Sequence, residues 1–172
     1  MKNHVMFAHY NQDANAAVLG LLNKLSNDER EKERGSYYKT LSGLVRHLGG
    51  ATVYFCGVLK DSVKNDAAIK ALEPVLALAF SDGALTEAQW KDVAENLAVA
   101  DKALVNFCEA LTDADLDSQV KWFGGNPPAI SLAGMLGQLT AHNTHHRGQI
   151  SQILDELKIE HNFSGINPEL CI

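Results

Sequence analysis

Between the Pro127-Pro128 pair and Lys158, apolar residues recur at steps of three and four: Leu132, Met135, Leu136, Leu139, Ile150, Ile153, Leu154 and Leu157. That spacing marks a helix with one buried face, and the proline pair excludes helix through its own positions. His142 and His146 continue the stripe where leucines would be expected. A chain containing this helix must pack a core around two imidazoles, each needing partners for both ring nitrogens. Residues at i and i+4 stand roughly 5–6 Å apart at Cβ, near enough for both rings to bind one metal ion.

Three further runs carry helical periodicity. Phe7, Tyr10, Ala14, Val18, Leu21 and Leu25 define a helix from His4 to about Leu25, ended by the polar run Ser26–Gly35. A second run from about Tyr38 to Leu59 carries Leu41, Leu44, Val45, Leu48, Phe55 and Leu59, with His47 among them. Thr86-Glu-Ala-Gln89 has the form of a capping box, and Trp90, Val93, Leu97, Leu104 and Phe107 follow at helical steps as far as Thr112. Asp66–Phe80 reads as a short helix and Gln119–Phe123 as a brief strand. Gly43, Gly49, Gly50 and Gly57 in the second run, and Gly134, Gly137 and Gly148 in the fourth, each cost roughly 0.5–1 kcal/mol relative to Ala. Close approach of neighbouring helix backbones is the expected compensation.

Four long amphipathic helices without βα alternation predict an all-α four-helix bundle. A 20-residue helix is roughly 30 Å long, and the crossover of about 25 residues from Asp61 to Leu85 can return along that length. Helices two and three then run parallel, giving up-down-down-up order. A chain of 172 residues can bury a substantial core, and we expect residues 1–172 to form a single domain.

The formal charge of −6 and pI near 5.6 provide no basic footprint for a phosphate backbone, so nucleic acid is not the expected partner. No apolar run approaches the roughly 18–20 residues that span a bilayer, and Met1–Asn15 has no signal-peptide core, which predicts a cytoplasmic protein with no membrane partner. Cys56, Cys108 and Cys171 form neither a Cys-x-x-Cys pair nor an even disulfide framework; Cys56 and Cys108 read as small core residues beside Phe55 and Phe107.

The His142/His146 pair alone is a weak metal signal in a chain with seven histidines. His47 strengthens it, because it follows Leu44 by three and adjoins Leu48, on or beside the apolar face of helix two. Three imidazoles from two helices would form an open site of the kind used by catalytic zinc. The competing reading makes His47 a core histidine bonded to a carbonyl or a neighbouring side chain. Gln138 and Gln149, four before His142 and three after His146, can orient the ring N–H groups or simply edge the stripe. His145, turned about 100° from His146, should point away. His9 and Asp13 are four apart on helix one, with solvent exposure the safer reading, and Arg147 reads first as a surface salt bridge.

A histidine midway along the second helix together with His142-x-x-x-His146-Arg-Gly-Gln on the last resembles the DinB-like family of metal-binding bundles. The stretch His145-His146-Arg147-Gly148-Gln149 is the most specific part, and Tyr10-Asn11, the long second connection and Trp122-Phe123 extend the resemblance over the whole length. It implies an up-down-down-up bundle, homodimerisation, and a divalent metal ion, zinc or nickel, held by His47, His142 and His146.

Asn143 stands where a His-Glu-x-x-His metalloprotease has its glutamate base, which argues against peptide hydrolysis by that route. No Gly-x-Ser-x-Gly elbow and no P-loop occurs. A three-histidine site leaves the ion's full charge uncompensated and should attract an anion or a thiolate. Two uses follow for an enzyme acting on a small molecule: thiol transfer, as in related members of the wider superfamily, or hydrolysis by metal-activated water. The alternatives are a non-catalytic metal- or ligand-binding protein and a dimer whose metal mainly fixes the helices. No catalytic residue is assigned from sequence.

Overall fold

In the computed structural model, residues 1–121 and 129–171 are described, and the chain is mostly helical. Trp122-Phe123 and Pro127-Pro128 lie outside the described residues. Helix α1 spans Asn3–Leu22, α2 Asn27–Arg30, α3 Leu41–Lys60, α4 Asp66–Leu72, α5 Glu87–Ala110, α6 Asp113–Leu116 and α7 Leu132–Glu156. A 3-10 turn, Glu73–Val75, extends α4, and another occupies Pro168–Cys171. Strand β1, Gln119–Val120, pairs antiparallel with β2, Ile130–Ser131, in register Gln119 to Ser131. The strand expected before the last helix therefore exists, with its partner directly leading into α7.

The boundaries follow local chemistry. The Thr86 hydroxyl accepts from Gln89 N while Gln89 Oε1 accepts from Thr86 N, closing the expected capping box at the start of α5. Thr40 caps α3 through Gly43 N, so that helix begins three residues later than the apolar pattern alone placed it. Ser131 caps α7 through Gly134 N.

The glycines answer differently from the expectation. A Cβ on Gly49 would lie 2.2 Å from the Phe80 ring, so this position admits an aromatic side chain of the α4–α5 connection rather than a neighbouring helix. Gly50, Gly57, Gly137 and Gly148 face open space.

Helix α1 packs on α5 and α7, and α3 packs on the same two. Along the α1–α5 contact, Trp90 Nε1 donates to Asn23 Oδ1 at 2.8 Å near one end and Lys2 Nζ meets Asp113, just past α5, at 2.6 Å near the other. Arg30, buried under the Trp90 ring, pairs with Glu87.

The core is split into two apolar clusters. One gathers Phe55, Cys56, Leu59, Leu104, Phe107, Leu132, Met135 and Leu139. The other gathers Val18, Leu22, Leu44, Leu48, Trp90, Leu97, Ile150 and Leu154. On α7 the interval between Leu139 and Ile150 holds the buried Asn143, His146 and Arg147, and opposite it lie the buried Asn11, Asn15 and Asp101. This polar layer carries the site. Among the described residues no helix is long and apolar enough to cross a membrane.

Candidate metal centre

His47 stands one residue before Leu48 on the buried stripe of α3, and His142 and His146 are one turn apart on α7. Their rings converge. His47 Nε2 is 3.0 Å from His142 Nε2, and His146 Nε2 is 3.2 Å from the same atom. One ligand nitrogen from each histidine lies within 4.8 Å of those of the other two. Nitrogens bound tetrahedrally to one ion at about 2.0–2.1 Å would stand roughly 3.3 Å apart, so a shared cation fits these two separations.

The surroundings set the rings in metal-ready form. Gln149 Oε1 lies 2.7 Å from His146 Nδ1, an acceptor that holds the proton on Nδ1 and leaves Nε2 bare. Of the two roles open to Gln149 from sequence this is the orienting one, whereas Gln138 is exposed. His142 Nδ1 has no partner of hydrogen-bond geometry, although Asn143 beside it raises the ring's affinity for a proton. Burial lowers the pKa of all three histidines, that of His47 to about 4 with His146 and His142 adding to the effect. Neutral imidazoles are the ligands a divalent ion takes. The donor set, its spacing and its protonation state fit such a cation.

Two aromatic residues complete the wall. Tyr38, in the turn before α3, stacks on His47 with centroids 4.0 Å apart and planes at 22°, meets His146 edge-on at 5.1 Å, and brings its hydroxyl 2.9 Å from His47 Nε2. Burial raises its phenol above the usual value, which keeps the O–H intact. Phe55 closes the side toward His142. A cleft of about 620 Å³ lined by Tyr37, Tyr38, Lys39 and Arg46 lies on the Tyr38 side, and an apolar cavity of about 250 Å³ lies between α1, α5 and α7; none of the three histidines lines either of them.

Arg147 departs from the surface reading. It is 2% exposed, donates to Asn11 Oδ1 at 2.6 Å and Asn15 Oδ1 at 3.0 Å, and lies over the Tyr10 ring. Asn15 in turn donates from Nδ2 to both oxygens of Asp101, at 3.1 and 3.0 Å. The acceptors come from α1, more than 130 positions away, so nothing local distinguished this arginine from a solvated one. His9, read as solvent-exposed, is only partly so. His145 is exposed beside the site; His9 bonds Glu109 at 3.0 Å near the surface; burial pushes the Cys56 and Cys108 thiols up to about 12, which leaves them inert.

The model of the DinB family matches residues 1–158, a span that contains all four long helices and the three histidines. The chain belongs to the DinB family. The comparison with curated proteins found no match, and neither did that with solved structures. The three-histidine cluster fits a DinB-like metal site.

Proposed function

We propose that this DinB-family chain binds one divalent cation, zinc or nickel, through Nε2 of His47, His142 and His146, and uses it as an enzyme on a small molecule. The convergence of the three Nε2 atoms carries the reading. When bound, the ion supplies Lewis acidity, lowering the pKa of a coordinated water or thiol. His47, His142 and His146 hold it, and Gln149 fixes the tautomer of His146. Thiol transfer and metal-assisted hydrolysis both use such a centre; the absence of a carboxylate at Asn143 favours a ligand that brings its own nucleophile, as a thiol does.

We infer also that the four long helices form an up-down-down-up bundle. The pairing of Lys2 with Asp113 and of Asn23 with Trp90 supports opposite directions for α1 and α5. Tyr38 beside His146 and Phe55 beside His142 support opposite directions for α3 and α7.

A non-catalytic reading rests on one observation: the triad ties α3 to α7 within the core, so the ion would clamp two helices. Metal analysis of protein purified without a histidine tag tests the centre. We expect one divalent ion per chain, lost in the His142→Ala/His146→Ala variant; metal content unchanged in that variant refutes it. Turnover of an electrophile with a panel of thiols then separates the enzyme from the clamp, which would show only a fall in Tm on chelation.

A further inference from the structure

We propose that Tyr38 is the residue that recognises the exogenous ligand at the three-histidine centre, donating its hydroxyl hydrogen to an anionic oxygen or sulfur atom held there; this rests on the metal reading above. The placement of Tyr38 is built, not incidental. Lys39, directly after it, has φ 63°, the left-handed region that a lysine rarely adopts. Thr40 N donates to the Tyr38 carbonyl at 2.7 Å, and Arg34 N donates to the Lys39 carbonyl at 2.8 Å, so the turn is tied at both residues. A Cβ on Gly43 would lie 2.1 Å from the Tyr38 carbonyl oxygen, so the first turn of α3 leaves room for that carbonyl and for nothing larger. The result is a phenol ring stacked flat on His47 with its hydroxyl at the nitrogen the metal would take.

That position decides what the hydroxyl can do. An imidazole nitrogen has one lone pair, and once it is given to a cation, His47 Nε2 no longer accepts a hydrogen bond. The Tyr38 O–H, half-buried between two rings, then needs another acceptor. The ligand atom in a remaining coordination position is the group beside it that carries spare lone pairs. A hydroxide, carboxylate or thiolate qualifies; an ammonium or a saturated hydrocarbon does not. Tyr38 thus selects anionic donors and orients them through its hydroxyl.

Cobalt(II)-loaded protein supplies the test, with acetate and 2-mercaptoethanol as the oxygen and sulfur probes and the visible cobalt spectrum as the readout. Cobalt stoichiometry in the wild type, and its loss in His142→Ala/His146→Ala, are measured first; failure there defeats the metal reading and is seen before any probe is added. In Tyr38→Phe, which keeps the ring, cobalt should bind as in the wild type while the Kd of at least one probe rises about tenfold or more, the value of a hydrogen bond to a charged acceptor. The probe that weakens names the donor atom. Gly43→Ala, which displaces the Tyr38 carbonyl, should weaken the same probe. Unchanged Kd values for both probes in Tyr38→Phe overturn the proposal. So does a tyrosinate charge-transfer band in copper(II)-loaded wild type that is absent from Tyr38→Phe, because it makes the hydroxyl a metal ligand.

Discussion

Asp101 should make the stability of this protein fall as pH rises from 5 to 8, and the Asp101→Asn variant should remove that slope. The carboxyl is 2% exposed and burial raises its pKa from 3.8 to about 7, against the opposing pull of the Asn15 hydrogen bonds and the Arg147 charge. Cys56 from α3 also faces it, with a thiol pushed up to about 12 and therefore neutral throughout. Because the folded-state pKa lies above the unfolded one, the native chain holds the proton more tightly. The resulting stability is fully present below about 4 and is lost as pH rises through about 7. At pH 5 the native carboxyl sits two units below its pKa while the unfolded one is nearly ionised, so about 2.5 kcal/mol separates pH 5 from pH 8 at roughly 1.4 kcal/mol per unit. The three histidines act in the opposite sense: their lowered pKa values give stability that is present above 6.5 and lost as pH falls. They are common to both proteins and cancel in the difference. Urea unfolding followed by circular dichroism at pH 5, 6, 7 and 8, with chelator present to remove metal linkage, measures it. With a slope near 2 kcal/mol per molar urea, the gap between wild-type and Asp101→Asn midpoints should change by about 1 M across the range. A gap that stays constant would show the carboxyl ionised throughout as the counter-charge to Arg147, and would refute the reasoning.

Gln149→Ala removes the acceptor on His146 Nδ1 and should weaken zinc binding about 10- to 100-fold, read by competition with a chromophoric chelator, without loss of helical signal. Gly49→Ala places a methyl group 2.2 Å from the Phe80 ring and should cost roughly 1–3 kcal/mol in urea unfolding, whereas Gly50→Ala, which meets nothing, should stabilise by up to about 1 kcal/mol. Thr86→Ala opens the capping box of α5 and should cost about 1 kcal/mol in the same assay.

Helix existence was legible wherever the signal was local. The box at Thr86 and Gln89 needs only its own four residues, and the stripe through Leu132 and Leu154 needs only its own helix. The histidine pair was legible for the same reason, since α-helical geometry alone puts His142 and His146 on one face. His47 required a second helix and was therefore one candidate with a rival reading; only the fold brings it within 3.0 Å of His142. Tyr38 left no signal of a site: it only opens the second apolar run, and its contact with His47 depends on a turn carrying a positive φ at a lysine. Arg147 was misread because an arginine on a helix is ordinarily solvated, and the two asparagines that desolvate it favourably sit on α1. The glycines misled in another way, since composition reports a missing side chain but not whether a helix, a carbonyl or an empty space takes its place.

Adjacent residues on α7 face different neighbours. His146 meets the His47 ring of α3 edge-on at 4.5 Å and Arg147 is hydrogen-bonded to α1, about 100° around the helix axis, so the two together fix the rotation of α7 against both partners. A leucine stripe would pack comparably after a small roll, because hydrophobic contact is not directional. Two polar anchors on different faces cannot both survive such a roll, and each lost hydrogen bond at a buried charged group costs several times what a misplaced methyl does. The layer between the two apolar clusters is therefore expensive where leucines would have been cheap, and what the expense secures is azimuth: the angle that keeps His142 and His146 aimed at His47. Binding a cation needs that precision to within a few tenths of an ångström, whereas holding a core together does not.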